Sequence, residues 1–214
     1  PGVWQVEAGS YGQDGGYATA LTATGFAARR RFWRMRQDLD GVAAVAPVPP
    51  VGATRRTVAG EEDRRALHAL FCASFAEHYG SSNDRPYDEW MASLEATPGV
   101  DPSRWWIATL DGADVALCIL DDSRESLGCG YVRTLGVLPQ ARGRGIARWL
   151  LGCAAADAVA RGRSAIMLTV DSENTTGATA LYESVGYRID EVIDFWSQPL
   201  LDDVVPDRAS ADSR

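Results

Sequence analysis

Apolar and polar positions follow two different periods along this chain, and their order predicts a mixed α/β fold. Some segments place apolar or small residues at i, i+3, i+4 and i+7, which is the spacing of one helical face. Two lie in the first half of the chain: Leu67, Leu70, Phe71 and Ser74, then Tyr87, Trp90, Met91 and Leu94. A third segment follows later, with Ile146, Trp149, Leu150 and Cys153 on one face.

Short apolar segments of strand length alternate with these helices. Residues 105–110 and 115–120 flank Asp111-Gly112, a pair that is typical of tight β-hairpin turns. Further strands are predicted at residues 55–59, 130–137, 165–170 and 187–196, and a short helix at 175–184. From Thr54 onward the order β-α-α-β-β-β-α-β-α-β predicts a mixed sheet with helices packed on it.

A segment rich in proline and small residues divides the chain. Residues 41–53 show no amphipathic period, which indicates a linker. The tail at 201–214 is polar and acidic and is expected to fray. We therefore predict a main domain at residues 54–200 and a separate piece at residues 1–40.

The piece at residues 1–40 resembles a later part of the same chain. At a constant offset of 160 (174 − 14 = 160), Asp14, Ala18, Ala20 and Leu21 correspond to Asn174, Ala178, Ala180 and Leu181. The piece is therefore predicted to be a strand–helix–strand unit, the end of a truncated first repeat. Such a unit cannot bury its own apolar face. It is expected to pack on the main domain's sheet or on a second chain, so a homodimer is one of two expected arrangements.

Composition narrows the classes of function. Hydrophobic residues make up 46% and charged residues 23% of the 214 positions, as in ordinary globular proteins. The net charge of −8 disfavours general binding to nucleic acid. No run approaches the roughly 18 apolar residues that a membrane span needs, so no membrane association is expected. The first residues also lack the basic and apolar stretches of a signal peptide.

The few residues with metal-binding or nucleophilic side chains are scattered. None of the four cysteines forms a CxxC pair, which predicts reduced thiols in a cytoplasmic protein. With only His68 and His78 available, a histidine-based zinc site or catalytic triad is hard to build, and no metal is expected. All basic residues are arginine, and five of them lie among aromatic residues at 29–36. Such a run can bind nucleic acid, but Trp33, Met35 and Leu39 alternate with polar residues, which favours a half-buried strand.

The segment most suggestive of chemistry lies between a strand and a helix. It reads Gln140-x-x-Gly143-x-Gly145 and precedes the helix that begins near Ile146. Glycines let the backbone turn tightly and approach a ligand closely. The amides at the start of a helix carry partial positive charge and bind phosphate oxygens. A plain strand-to-helix turn is the alternative explanation of the glycines alone. A dinucleotide-binding loop fits the order of elements poorly, and a Walker-type loop needs a lysine that this chain lacks.

Taken together, the motifs resemble those of the GNAT acetyltransferases. The resemblance rests on the strand at 132–137, the Q-x-x-G-x-G turn, and the downstream Asn174, Leu181-Tyr182 and Gly186-Tyr187. It covers residues 130–187, and the order of elements from Thr54 onward agrees with the GNAT acyl-CoA N-acyltransferase fold. That α/β fold has a mixed, mostly antiparallel central sheet with splayed parallel strands and helices on both faces. The linked piece at 1–40 resembles the end of another copy, as in two-copy members such as mycothiol synthase.

The resemblance implies acetyl-CoA as co-substrate and a set of coenzyme contacts. The pyrophosphate would sit on the turn, and the pantetheine would lie between the splayed strands at 130–137 and 165–170, bonded by the backbone of the first. One of that strand's amides would stabilise the oxyanion, and Gly136 would mark the bulge at which the strands part. The implied contacts are Leu135, Gly136, Val137, Arg142, Gly143, Arg144, Gly145, Ile146, Ala147 and Asn174.

Tyr182 matches the family tyrosine that protonates the departing coenzyme thiolate, and simple packing beside Leu181 is the alternative. The offset of 160 places Thr22 at the corresponding position of the first piece (182 − 160 = 22), so that piece is expected to be structural. Asn174 precedes Tyr182 by eight residues, whereas many relatives have seven. A helix-capping role is therefore an alternative for Asn174.

Neither the general base nor the acceptor is identified by the sequence. Carboxylates and phenols near the cleft are candidates for the base: Tyr131, Glu125, Asp171 and Glu173. His78 could border the acceptor pocket or simply pack in the core. The expected reaction is transfer of an acetyl group from acetyl-CoA to a primary amine, on a small molecule or a peptide N-terminus, in a ternary complex. A module that binds acetyl-CoA without turnover is the alternative.

Overall fold

The computed structural model describes residues 5–76, 85–174 and 176–199 of the chain. Within this range the strands are β1 Gln5–Tyr11, β2 Ala27–Asp38, β3 Ala53–Thr57, β4 Val100–Leu110, β5 Ala113–Asp121, β6 Cys129–Val137, β7 Ala165–Asp171 and β8 Arg188–Pro199. The helices are α1 Gly15–Ala23, α2 Gly60–Phe75, α3 Tyr87–Glu95, α4 Ile146–Ala160 and α5 Ala178–Ser184. His78, Thr175 and the tail at 201–214 lie outside the described residues.

The order of elements predicted from Thr54 onward is confirmed. The main difference is at α5, which begins at Ala178, directly after Gly177 in a left-handed conformation. The strand predicted at 105–110 is longer and begins at Val100. The chain divides into two compact units, Pro1–Arg34 with Val170–Thr176 and Ile189–Arg214, and Met35–Thr169 with Gly177–Arg188.

The second unit contains five adjacent strands in the order β7-β6-β5-β4-β3. The β3–β4, β4–β5 and β5–β6 pairs are antiparallel, whereas β6 and β7 run parallel. At the β4–β5 turn, Asp111 and Gly112 have positive φ angles of 52° and 85°. This conformation matches the twist of the two strands, which is why the Asp-Gly pair predicted a hairpin here.

Helices cover both faces of this sheet. On one face, α2 and α3 bury their apolar stripes, including Leu67 and Trp90, against Trp105, Leu117 and Ile119 of the strands. Side chains of neighbouring strand residues point to opposite faces, so the fully buried Cys118 faces away from Leu117 and Ile119, and α4 contacts the same strand. α4 therefore packs on the other face, as the resemblance predicted.

The first unit is a strand–helix–strand segment joined by β8. β1 pairs antiparallel with β8, which also neighbours β2. The α1 helix buries Leu21, and the indole of Trp196 donates to the Ser10 hydroxyl at 2.8 Å. Leu21 is thus the buried residue of α1, and the hydrogen bond of Trp196 joins β8 to β1.

The arginine run lies in β2, as the strand interpretation predicted. Within the first unit, Arg29 donates to the Ser197 hydroxyl at 2.9 Å, and Arg31 donates to the Asp194 carboxylate at 2.6 Å. Two further ion pairs join Arg30 to Asp171 and Arg34 to Glu191. These arginines therefore link β2 to acidic or hydroxyl side chains of β7 and β8.

Candidate functional site

Strands β6 and β7 pair over a short stretch and then part. Their parallel pairing runs from Cys129–Ala165 to Val132–Leu168, although β6 continues to Val137. Its last five residues, 133–137, have no partner on β7. The backbone groups on that side of β6 therefore face a gap, where an extended ligand can bond to them as an added strand.

The irregularity that accompanies this gap lies at Arg133. On the other side of β6, Thr134 pairs with Ile119 and Val132 pairs with Leu120, so Arg133 is the extra residue of a β-bulge. The prediction that Gly136 marks the bulge is wrong, because Gly136 pairs regularly with Leu117.

The absence of a side chain at position 136 serves close packing. A Cβ atom there would lie 2.7 Å from Cδ2 of Leu117 and 2.8 Å from Cβ of Ser74 on α2. Glycine thus lets α2 approach β6 near the end of that strand.

The chain between β6 and α4 turns through two left-handed glycines. Gly143 has a φ angle of 76°, and Gly145, the residue before the first turn of α4, has 79°. No side chain caps this helix start, and its first turn holds no acidic residue. The first amides of a helix have no partner within the helix. This turn therefore presents hydrogen-bond donors and the positive end of the helix dipole, an arrangement that binds anions.

The two arginines of this turn differ in what they contact. Arg142 points inward, where its guanidinium donates to the carbonyls of Val137 and Ser74, each at 3.2 Å. Its amide donates to the carbonyl of Pro139. Arg144 is exposed. Of the two charges, that of Arg144 is therefore the one available to a ligand, whereas Arg142 fixes the turn to β6 and α2.

Tyr182 lies on α5, where it is half-buried beside a second tyrosine. Its ring centroid is 6.0 Å from that of the buried Tyr187, with the ring planes inclined at 58°. Burial, with a smaller contribution from Cys118, raises the pKa of Tyr182 to about 12. The phenol is therefore protonated at neutral pH, as a proton donor must be.

An arginine that the motif comparison did not single out joins the two helices of the site. Arg148, in the first turn of α4, donates to the hydroxyl of Ser184 at 2.7 Å. Ser184 ends α5, two residues after Tyr182. This bond holds the helix of the tyrosine beside the uncapped start of α4. The only sequence signal for Arg148 is its position one turn after the glycines.

Asn174, predicted as a coenzyme contact with helix capping as the alternative, has local partners. It belongs to the first unit, where its side-chain oxygen accepts from the amide of Thr176 at 2.9 Å and from its hydroxyl at 2.6 Å. These bonds form a local turn, and the capping alternative is wrong, because α5 begins after Gly177 without a side-chain cap.

The candidates for the general base have different surroundings. The Tyr131 hydroxyl, on β6, donates to the Thr169 hydroxyl of β7 at 3.0 Å, next to the point where the strands part. Glu125 pairs with Arg163 at 2.8 Å, and Asp171 pairs with Arg30. Glu173 donates its amide to Asp171. Tyr131 is therefore the candidate that lies at the gap within the second unit.

The proline-rich segment before β3 packs along α4. The indole of Trp149 donates to the carbonyl of Pro47 at 3.0 Å. A Cβ on Gly152 would lie 2.7 Å from Cγ of Pro47, and one on Gly145 would lie 3.6 Å from Cγ of Pro50. This part of the predicted linker is therefore seated on the helix whose start forms the turn.

The described residues, 5–76, 85–174 and 176–199, contain neither a cluster of metal ligands nor a membrane-spanning helix. In that range, histidine, cysteine and acidic side chains form no group of three that could hold a metal ion. Every helix in the same range is too short or too polar to cross a bilayer.

Comparison with known proteins identifies the family. The acetyltransferase (GNAT) family model matches residues 64–187, more than half of the chain. The mycothiol acetyltransferase of Streptomyces griseus subsp. griseus is 32% identical over 166 residues, which are 76% of this chain and 52% of that protein. The mycothiol acetyltransferase of Thermobispora bispora is 32% identical over 176 residues, 79% of this chain and 58% of that protein.

A solved structure agrees with these sequence matches. The GCN5-related N-acetyltransferase from Sphaerobacter thermophilus superposes with a TM-score of 0.73 at 26% identity, covering 93% of this chain and 61% of that chain. The chain thus spans between about half and three-fifths of the length of these relatives. The predicted resemblance is confirmed: the chain belongs to the GNAT acetyltransferase family.

Proposed function

We propose that this protein transfers an acetyl group from acetyl-CoA to a primary amine. The observation that carries the proposal is the continuity of the site within the second unit. The unpaired edge of β6 leads into the uncapped start of α4, and the Arg148–Ser184 bond places the helix of Tyr182 beside it.

The coenzyme would bind along this path. The amides of Gly143, Gly145, Ile146 and Ala147 would hold the pyrophosphate, with the charge of Arg144 nearby. The backbone of Leu135, Gly136 and Val137 would bond the pantetheine, and one of those amides would face the thioester oxygen. Asn174 and Arg142 have local partners, so we assign them supporting roles in the turns that they stabilise.

The transfer would proceed by direct attack. The amine nitrogen, after loss of a proton to a base or to water, attacks the acetyl carbonyl carbon, and negative charge moves to the carbonyl oxygen. As the carbonyl re-forms, the carbon–sulfur bond breaks and the thiolate takes the proton of Tyr182. Because the pKa of Tyr182 is raised to about 12, this proton is present at neutral pH. No metal enters the scheme.

The relatives guide the choice of acceptor. Those that match most of this chain are mycothiol acetyltransferases, so an amine of the mycothiol series is the acceptor to test first. Other small amines and peptide N-termini come next. We place the reaction in the cytoplasm, in keeping with the free Cys72, Cys118, Cys129 and Cys153.

We further propose that different segments of the chain have different roles. Residues 54–200 would form the acetyltransferase domain, with residues 41–53 as the connecting segment and residues 1–40 as the structural end of an earlier repeat. The last residues of β1 and β7, Tyr11 and Asp171, differ by 160 (171 − 11), which is the offset of the repeat hypothesis.

A thiol-release assay tests the function. Purified protein is incubated with acetyl-CoA and a panel of amines, and free coenzyme thiol is measured together with the acetylated product. The proposal expects thiol and product in equal amounts with at least one amine, and a loss of about 100-fold in kcat for Tyr182→Phe. Tight binding of acetyl-CoA without release for any amine would instead indicate a module without turnover.

A further inference from the structure

Tyr187 has a buried hydroxyl without a partner. The residue follows α5 and is 1% exposed. Its amide donates to the carbonyl of Tyr182 at 3.0 Å, so the backbones of the two tyrosines are tied together. The Tyr187 hydroxyl nevertheless has no hydrogen-bond partner in the part of the chain that the structure describes.

Such a hydroxyl is costly for the fold. A buried polar group that loses water without gaining a partner destabilises the folded state. Phenylalanine would fill the same space with the same ring and without this cost. No group in the described part of the chain therefore bonds to this hydroxyl in this state, and a partner is expected in another state of the protein, such as the reacting complex.

The surroundings limit what that partner can be. The titratable groups that act on Tyr187 are the thiol of Cys118, on β5, and the phenol of Tyr182, on α5. Cys118 is fully buried, and burial raises the pKa of its thiol, so it stays protonated and uncharged. Tyr182 is different, because the proposed reaction leaves negative charge on its oxygen. Its ring centroid is 6.0 Å from that of Tyr187.

We propose that Tyr187 is a positioning residue whose hydroxyl donates a hydrogen bond to the oxygen of Tyr182 during the transfer. This inference rests on the proposed function. When the coenzyme sulfur takes the proton of Tyr182, the O–H bond of Tyr182 breaks and an S–H bond forms. The electron pair left on the Tyr182 oxygen then accepts the bond from Tyr187, which keeps its own proton. Water later returns a proton to Tyr182.

Three variants test this role with the full-length chain: Tyr187→Phe, Tyr182→Phe and the double variant. Tyr187→Phe is expected to lower kcat about tenfold, to leave KM for acetyl-CoA unchanged and to leave the Tm equal or higher. The double variant is expected to be no slower than Tyr182→Phe alone, because the hydroxyl acts through Tyr182. Tyr87→Phe is the control, since Tyr87, on α3, donates to Glu61 of α2 at 2.9 Å and has no part in the proposed reaction, so kcat should not change.

The outcomes distinguish a failure of this inference from a failure of the proposed function. If Tyr187→Phe keeps the wild-type kcat while Tyr182→Phe is impaired, the inference is overturned and the proposed function stands. A Tm of Tyr187→Phe several degrees below the wild type would also overturn it, because the hydroxyl would then have a structural partner. If Tyr182→Phe itself reacts at the wild-type rate, the proposed acid is wrong, and the role of Tyr187 falls with it.

Discussion

The helices α1 and α4 begin in opposite ways. At the start of α1, the carboxylate of Asp14 accepts from the amide of Tyr17 at 2.9 Å, so the protein itself supplies the anion. At the start of α4, no side chain takes this place, and Gly143 and Gly145 turn the chain through left-handed conformations. One start is closed by its own carboxylate and the other is open.

The difference separates a structural helix start from one suited to a ligand. An uncapped start leaves amide donors without partners, and this arrangement is favourable when an anion occupies it. The α2 and α3 starts also lack a side-chain cap, but both hold acidic residues in their first turns, and Asp63 of α2 accepts from the amide of Ala59 at 2.9 Å. The α5 start, at left-handed Gly177, resembles that of α4 and belongs to the helix that carries Tyr182. Among the described α-helices, α4 and α5 thus begin with neither a side-chain cap nor an acidic first turn, and they are the two helices proposed to face the coenzyme.

The largest expected effect comes from placing a carboxylate at the open start. Gly143→Asp should weaken acetyl-CoA binding about 100-fold, because the new charge repels the diphosphate and competes for the amides. Calorimetric titration measures the affinity. Gly162→Asp is the matched control, because Gly162, just after α4, has a similar φ angle of 73°, and both positions have open space around them. Equal affinities for the two variants would contradict the assignment of the turn.

Replacing the two arginines of the turn should affect different properties, stability for Arg142 and coenzyme binding for Arg144. Arg142→Ala removes the bonds to the carbonyls of Val137 and Ser74, so unfolding in urea should show a loss of about 1–3 kcal/mol in stability. Arg144→Ala should leave stability unchanged and weaken acetyl-CoA binding about three- to tenfold, since its exposed charge is partly screened. A stability loss for Arg144→Ala with unchanged binding would reverse this assignment.

Removing the carboxylate from the closed start should affect only the fold. Asp14→Ala is expected to lower stability by about 1 kcal/mol without changing the affinity for acetyl-CoA. Asp14→Ser should recover most of the loss, because serine also caps helices well. Weaker coenzyme binding by a folded Asp14→Ala protein would show that α1 is more than structural.

The smallest expected effect is the response of Asp63, in the first turn of α2, to acid. The bond from the amide of Ala59, followed by the bond from Arg56, lowers the pKa of Asp63. A carboxyl with a lowered pKa in the folded state contributes stability above its unfolded pKa of about 3.9, and this contribution is lost as pH falls through the folded value. The Tm of the wild type should therefore exceed that of Asp63→Asn at pH 6, and the gap should close as the pH falls below the unfolded pKa of about 3.9 and through the lowered folded value. A constant gap would contradict this.

The regular parts of the fold were predictable because burial imposes periodicity. Leu67, Leu70 and Ser74 form the buried stripe of α2, as their spacing predicted. The turn at Asp111 and Gly112 was predictable because both residues tolerate positive φ angles. The glycine-flanked start of α4 was predictable for the same local reason.

Tertiary contacts explain what the sequence did not reveal. Nothing local shows that Arg142 turns inward while Arg144 stays exposed, since the carbonyl of Ser74 that it reaches is 68 residues away. The bulge at Arg133 depends on the register between β5 and β6. The Tyr187 hydroxyl lacks a partner because of its tertiary surroundings, and the sequence alone shows only an aromatic residue suited to the core.

Amide shifts measured by NMR during titration with acetyl-CoA test the central claim most directly, because they report on the two helix starts in one experiment. If the diphosphate binds at the open start, the amides of residues 143–147 should show the largest changes, while those of residues 15–17 at the start of α1 should hardly move. Saturable binding that leaves the amides of residues 143–147 unshifted would contradict the account.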